Sequence, residues 1–360
     1  MYLEGCTIAQ RYGEPKDQRS FTFIMRTRMA FEFKNLRPAN NTHSKDHDFT
    51  QAVFKGLSKE LKRLPSWLIF DDRGSEIFEE ILGLENYHPA VCEFEIFHTH
   101  KQTIADIVSD EALQIIDLGS GDARKTKVLL KHLVDNKLQI HFIPIDISAG
   151  AVKNLVQSLE SEFANTSLAV TGLASEYFQG LEAVPRERFK RNFVFFLGST
   201  IGNQDYPAAG KFLRGLRDTL NDGDYVMIGF DLMKNPKLLY RAYNDPEGIF
   251  QKFNLHLLDR INQELGANFV KSNFVQEGHY SQQSHAVESH IYSIKDQTVE
   301  IPGLDKEFHF GAWEGMQTEH SYKYTMTEVE TLAQECGFEI VTHLFDSNQY
   351  FVDSIWKVKK

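Results

Sequence analysis

Cysteine is scarce in this chain. Its 360 residues include three, Cys6, Cys92 and Cys336, far apart and without a CxxC pair. That spacing excludes a disulfide framework and a cysteine zinc site, and it suits a reducing compartment. Fourteen histidines show no HExxH or other ligand spacing, so no metal is expected. Basic residues are outnumbered, 39 Lys and Arg against 50 Asp and Glu, giving a net charge of −11 spread along the chain. Such a field repels a nucleic-acid backbone and offers it no basic stripe. Nowhere do the ~18 consecutive apolar residues of a membrane span occur, and the first residues lack the apolar run of a signal peptide. Internal repeats and low-complexity tracts are missing too. What is present, 42% apolar residues, fills the core of one large domain or two interlocked ones. The expectation is a soluble, cytoplasmic monomer acting on a small molecule, with neither nucleic acid nor membrane as partner.

Residues 1–45 are polar, without sustained periodicity, and read as a poorly ordered extension. Helical spacing begins at Val53, Phe54, Leu57 and Leu61 and stops at Pro65; a second helix from Ser75 carries Ile77, Phe78, Ile81 and Leu82 on one face. Short apolar runs then recur at Leu113 to Leu118, Ile140 to Ile147, Ser167 to Leu173, Asn192 to Leu197 and Tyr225 to Phe230, with helical patterns between several of them. Buried strands alternating with helices predict a doubly wound parallel α/β sheet. After Asp231 the rhythm changes to helical stretches at Pro236 to Tyr243 and Gly248 to Leu265, then to alternating segments, as a second α+β module would show. Thr325, with Glu328 placed for a capping box, opens a helix running to Gly337, and two strand-like runs, Phe338 to Phe345 and Tyr350 to Val358, close the chain.

The sharpest local signal is Ile116-Asp-Leu-Gly-Ser-Gly-Asp122, a strand entering a glycine turn and then a helix. Gly119, Ser120 and Gly121 let a ligand approach the backbone, beside the free N–H groups of the helix start. The third glycine usual in NAD enzymes is missing. Asp146 ends the next strand, where an acid can accept both ribose hydroxyls; as a helix cap it would be redundant with Ser148. Gly198-Ser-Thr-Ile-Gly-Asn203 follows another strand, its small residues leaving room for a ligand and Asn203 offering a donor and an acceptor. A simple turn would use the same residues.

Asp117-Leu-Gly-Ser-Gly-Asp-Ala-Arg-Lys-Thr126, Phe196-Leu-Gly-Ser-Thr-Ile-Gly-Asn203 and Thr318-Glu-His-Ser-Tyr-Lys-Tyr324, with Ile69 to Ser75 upstream, together resemble the L-histidine Nα-methyltransferases of ergothioneine biosynthesis. The resemblance covers nearly everything after the first 45 residues. It implies a Rossmann-like class I methyltransferase domain (106–233 and 325–360) that uses S-adenosylmethionine, and a substrate-binding α+β domain (46–105 and 234–324) made of an N-terminal segment and an insertion. It further implies cofactor contacts from Gly119, Ser120, Gly121, Lys125, Asp146 and Ser175. Tyr87, Gly198, Asn203, Tyr243, Ser289, Glu319 and Ser321 would hold the amino acid, with Asn203 and Tyr87 taking the catalytic part. Asn203 and Tyr243 would bind the α-carboxylate as neutral donors, without the desolvation cost of a buried cation. Glu319 and Ser321, two apart in an extended segment, would face the two imidazole nitrogens together. Three positions depart from the family: Phe70 stands where tyrosine is usual, Ser289 replaces a methionine, and no acidic residue for the adenine stands out in Leu173 to Tyr177.

The implied reaction is in-line attack of a neutral α-amine on the sulfonium methyl, giving S-adenosylhomocysteine and, on repetition, the trimethylated betaine hercynine. Positioning dominates such chemistry. The rival readings are N-methylation of another aromatic amino acid such as a tryptophan derivative, an NAD-dependent oxidoreductase on a similar sheet, and a catalytically silent binding protein.

Overall fold

The computed structural model describes residues 31–37, 42–108, 113–185 and 191–360, with backbone alone over 42–47. An eight-stranded sheet forms its centre. Strands β1 (Phe31–Asn35), β2 (Leu113–Leu118), β3 (Ile140–Asp146), β4 (Leu168–Ala174), β5 (Arg191–Phe196) and β6 (Tyr225–Asp231) run parallel in the order β1-β4-β3-β2-β5-β6. Beyond β6 lie β13 (Phe351–Val358), antiparallel to it, and β12 (Phe338–Phe345) at the edge.

Both faces of the sheet are covered, which is why its strands are near-continuous apolar runs. Phe193 and Phe195 of β5 point to one side, against Ile96, Phe97 and Ile104 of α3 (His88–Ile107), Leu129 and Leu133 of α4 (Arg124–Asp135) and Val152 of α5 (Ala149–Phe163). Val194 and Phe196 point to the other, against Leu181 of α6 (Tyr177–Glu182), Leu213 and Leu216 of α7 (Tyr206–Thr219) and Val329 and Leu332 of α10 (Met326–Glu335). The Thr325–Glu328 capping box that starts α10 is formed in both directions.

A separate core gathers α1 (Thr42–Leu57), α2 (Asp72–Leu82), α8 (Pro236–Tyr243) and α9 (Ile249–Leu265) around β7 (Phe274–Ser281), β8 (Ala286–Ser293) and β11 (Gly315–Tyr322), an antiparallel sheet in the order β11-β8-β7. The hairpin of β9 (Gln297–Ile301) and β10 (Lys306–Phe310) closes it. The polypeptide leaves the large sheet after β6 to build this module and returns through α10.

Two expectations need correcting. Residues 31–35, read as part of a poorly ordered extension, pair with β4 as an edge strand; 1–30 and 38–41 lie outside the described residues. An edge strand with one face in solvent carries little apolar signal, and four of its five residues are exposed. Helix α3, grouped at sequence level with the substrate-binding part, packs instead on the sheet and on α4, because Ile96, Phe97 and Ile104 face that core.

Candidate active site

The first half of the site lies where β2 and β3 end. Gly119 has φ +78°, and a methyl there would come within 3.0 Å of the Tyr177 hydroxyl; Gly121 has φ +49°, with no atom of the described residues within 4 Å of where its Cβ would stand. The first glycine is therefore required by backbone shape and crowding, the second by shape alone, and the space beside it is free for a ligand. The Gly121 N–H donates to Asp146 Oδ2 at 3.2 Å, and Ser148 N–H donates to Oδ1 at 3.0 Å. Ser148 caps α5 through its own hydroxyl, accepting from Ala151 N–H, so Asp146 is not needed as a cap. Burial raises the Asp146 pKa, against the lowering effect of those backbone donors. Ser120 Oγ is buried without a hydrogen-bond partner among the described residues. Ser175 is fully buried with its hydroxyl donating to Gln179 Oε1 at 3.2 Å, while its N–H donates to the Asp146 carbonyl. Below the turn Thr126 donates to Asp117 Oδ2 at 2.7 Å, and burial pushes that carboxyl up to about 7.

Between the halves sits an ion pair absent from the sequence reading. Glu93 of α3, fully buried, accepts from Gly198 N–H at 2.7 and 3.0 Å and pairs with Lys125. Burial lowers Lys125 to about 8, with Asp353 opposing the shift. Glu93 thus joins the turn after β5 to the start of α4. Asn203 ends the short 3-10 segment Thr200–Asn203, which packs on β11, and is itself exposed.

The second half is walled by side chains. Tyr87, at the N-cap of α3, and Tyr243, at the end of α8, are buried with ring centroids 5.9 Å apart, edge to face. Burial holds both phenols well above their ordinary pKa, so they are neutral hydroxyls. Phe70 packs edge-on against Phe78 and Phe253 at 5.3 Å, extending this aromatic wall. Glu319 pairs across strands with Ser289. Its Oε2 accepts from Asn254 Nδ2 at 2.9 Å, and burial raises its pKa against the opposing effects of Asn254 and Ser289. Tyr243 donates to Ser321 Oγ at 2.8 Å.

Beneath these hydroxyls is a cation. Lys323, fully buried, donates to Tyr243 Oη and Ser321 Oγ, each at 2.8 Å, and lies 2.7 Å from Asp231 Oδ2. Asp231 also pairs with Lys234. Burial drives Asp231 upward, but the two ammonium groups bring it below its usual value. The Tyr243 hydroxyl, expected to act as a neutral donor, thus stands on a buried cation. Asn254 and Lys323 both carried a readable signal. Asn254 interrupts the stripe of Phe250, Phe253, Leu257 and Ile261 on α9, and Lys323 continues the two-residue spacing of Glu319 and Ser321.

On the opposite face of the small sheet, His279, Glu288 and His290 have ligand atoms within 4.8 Å of one another, a grouping absent from the sequence reading. Residues 288 and 290 alternate with 287, 289 and 291, so this cluster points away from Glu319 and Ser321.

Residues 49–358 match the family model described as histidine-specific methyltransferase, SAM-dependent. The histidine N-alpha-methyltransferase of Mycolicibacterium smegmatis is 33% identical, over 79% of this chain and 87% of its own. That of Mycobacterium tuberculosis is 32% identical, over 76% and 83%. A 4-dimethylallyltryptophan N-methyltransferase of Aspergillus fumigatus is 25% identical, over 80% and 87%. With the family matched over the large sheet and the inserted module alike, the chain belongs to the SAM-dependent histidine-specific methyltransferases.

Proposed function

We propose that this enzyme methylates the α-amino nitrogen of L-histidine, repeatedly, toward the trimethylated betaine. The observation that carries the reading is the pairing of a carboxylate, Glu319, with a hydroxyl, Ser321, two residues apart on one strand and inside a wall of neutral aromatic groups. A hydrogen-bonding pair of that kind suits a ring with two nitrogens and rejects an apolar ring, which would leave it unpaired. The histidine-methylating relatives support the same substrate, and the 4-dimethylallyltryptophan relative makes an indole the rival to exclude.

The cofactor end fits S-adenosylmethionine: Asp146 would take the ribose hydroxyls, and the open space at Gly121 and the unpartnered Ser120 hydroxyl would face the ligand. When bound, S-adenosylmethionine supplies a sulfonium methyl that an amine lone pair displaces in line, leaving S-adenosylhomocysteine. The chain's own task is positioning. Asn203 would orient the α-carboxylate, Tyr243, whose hydroxyl hydrogen goes to Ser321, would hold that hydroxyl at the ring, Tyr87 would close the wall beside the amine, and Glu319 would fix the ring. With both phenols held neutral, neither Tyr87 nor Tyr243 is a base at working pH. The amine would therefore lose its proton to solvent; a peptide α-amine lies only about one unit above neutrality, and the α-amine of a free amino acid, beside its carboxylate, lies higher. A competition assay among histidine, tryptophan and phenylalanine tests this. Histidine should dominate the product, and preference for either other ring overturns the reading.

A further inference from the structure

Lys323 is a buried cation that the reaction does not consume. Asp231 already has Lys234 as a partner, so neutralising that carboxylate does not explain a second lysine buried against Tyr243 and Ser321. Desolvating an ammonium is costly, and one kept at a site has a use there. Two of its hydrogens go to Tyr243 Oη and Ser321 Oγ, each 2.8 Å away, and its charge lies 2.7 Å from Asp231 Oδ2. Tyr243, the more acidic hydroxyl, donates to Ser321 at 2.8 Å. Both lone pairs of Ser321 are then occupied, one by Lys323 and one by Tyr243. Only its O–H remains, and that hydrogen is free to turn to a ligand.

We propose that Lys323 is a specificity-determining positioning residue: by filling the acceptor sites of Ser321 and Tyr243 it makes Ser321 an obligate donor beside the acceptor Glu319. The site then reads one N–H and one bare ring nitrogen, which is the neutral imidazole. An indole N–H satisfies Glu319 and leaves Ser321 unpaired; a doubly protonated ring sets N–H against O–H. The proposal rests on histidine being the substrate, and it assigns the selection of the bare nitrogen to a residue that does not touch the ring.

The test uses the full chain and two ring analogues, 3-(pyrrol-2-yl)alanine and 3-(pyrrol-3-yl)alanine, which keep an N–H but replace the bare nitrogen with CH. The parent should favour histidine over the better analogue by about tenfold or more in kcat/KM, the effect of one buried unpaired hydroxyl. Lys323→Met should reduce that ratio to about twofold while leaving affinity for S-adenosylmethionine intact. Ser321→Ala should do the same, and the double variant should lose no more than either single one, since both remove one interaction. Lys323→Gln, whose amide has two N–H donors for the same two hydroxyls, should keep most of the preference. If Lys323→Met does not fold, the Gln and Ala variants decide: loss of preference in the first or its persistence in the second overturns the proposal. A Lys323→Met variant that slows histidine and pyrrole substrates by the same factor shows a support role and overturns it as well. No histidine turnover by the parent overturns the substrate reading, and this proposal with it; turnover with an unchanged ratio in the variant overturns this proposal alone.

Discussion

At the proposed cofactor end, between β2 and β3, the surface is mostly backbone: two glycines at positive φ, a helix start and one carboxylate already held by the N–H groups of Gly121 and Ser148. At the proposed amino-acid end it is mostly side chains, drawn from α3, α8, α9, β8, β11 and the Thr200–Asn203 segment and tied to a buried lysine. A backbone cradle is insensitive to most side-chain changes and suits a ligand shared by many enzymes. A side-chain wall changes with single substitutions, and it is where relatives acting on histidine and on 4-dimethylallyltryptophan would diverge. The two ends should therefore fail separately when mutated.

Glu319→Ala should have the largest effect. It strands the ring N–H and the Asn254 amide together, and loss of a charged, half-buried acceptor should lower kcat/KM for histidine by roughly a hundredfold, with cofactor affinity unchanged by titration calorimetry. Loss of cofactor binding instead would merge the two ends. Asp146→Ala is the mirror experiment. A carboxylate binding two hydroxyls contributes about 1.5–3 kcal/mol per charged bond, so affinity for S-adenosylmethionine should weaken at least ~10-fold. Unchanged affinity in a folded variant would remove Asp146 from the site.

Tyr243→Phe should be milder, raising KM for histidine several-fold with cofactor affinity nearly intact, because the ring still packs on Tyr87 and Phe250 while the hydroxyl is lost. If it loses cofactor and keeps substrate, the two ends are reversed. The smallest effect concerns stability. Burial raises Asp117 from an ordinary 3.8 to about 7, so the folded protein binds this proton more tightly than the unfolded chain does. Its contribution must then fall as pH rises through the window from about 4 to about 7. Asp117→Asn should flatten the dependence of Tm on pH across that window relative to the parent; identical slopes would contradict the assigned ionisation.

The same contrast governs what could be read in the sequence. The glycine turn, Asp146 and the alternating strands announce themselves locally, because backbone shape and burial on both faces leave a mark within a few residues. Glu319 and Ser321 were legible as a same-face pair, and α8 and α9 fall where the helical spacing put them. Glu93 was not found because its partner, Gly198, is distant in sequence; Lys323 shares the two-residue spacing of Glu319 and Ser321, but its ion-pair partner Asp231 is equally distant. Strand β1 escaped because its exposed residues read as a polar extension, although its backbone completes the sheet edge.

The central claim is that the chain transfers methyl groups to histidine. Incubating the purified protein with S-adenosylmethionine and each of the twenty amino acids, read by mass, tests it most directly. Histidine alone should gain methyl increments. Methylation of another amino acid with histidine untouched, or of none, would contradict the account.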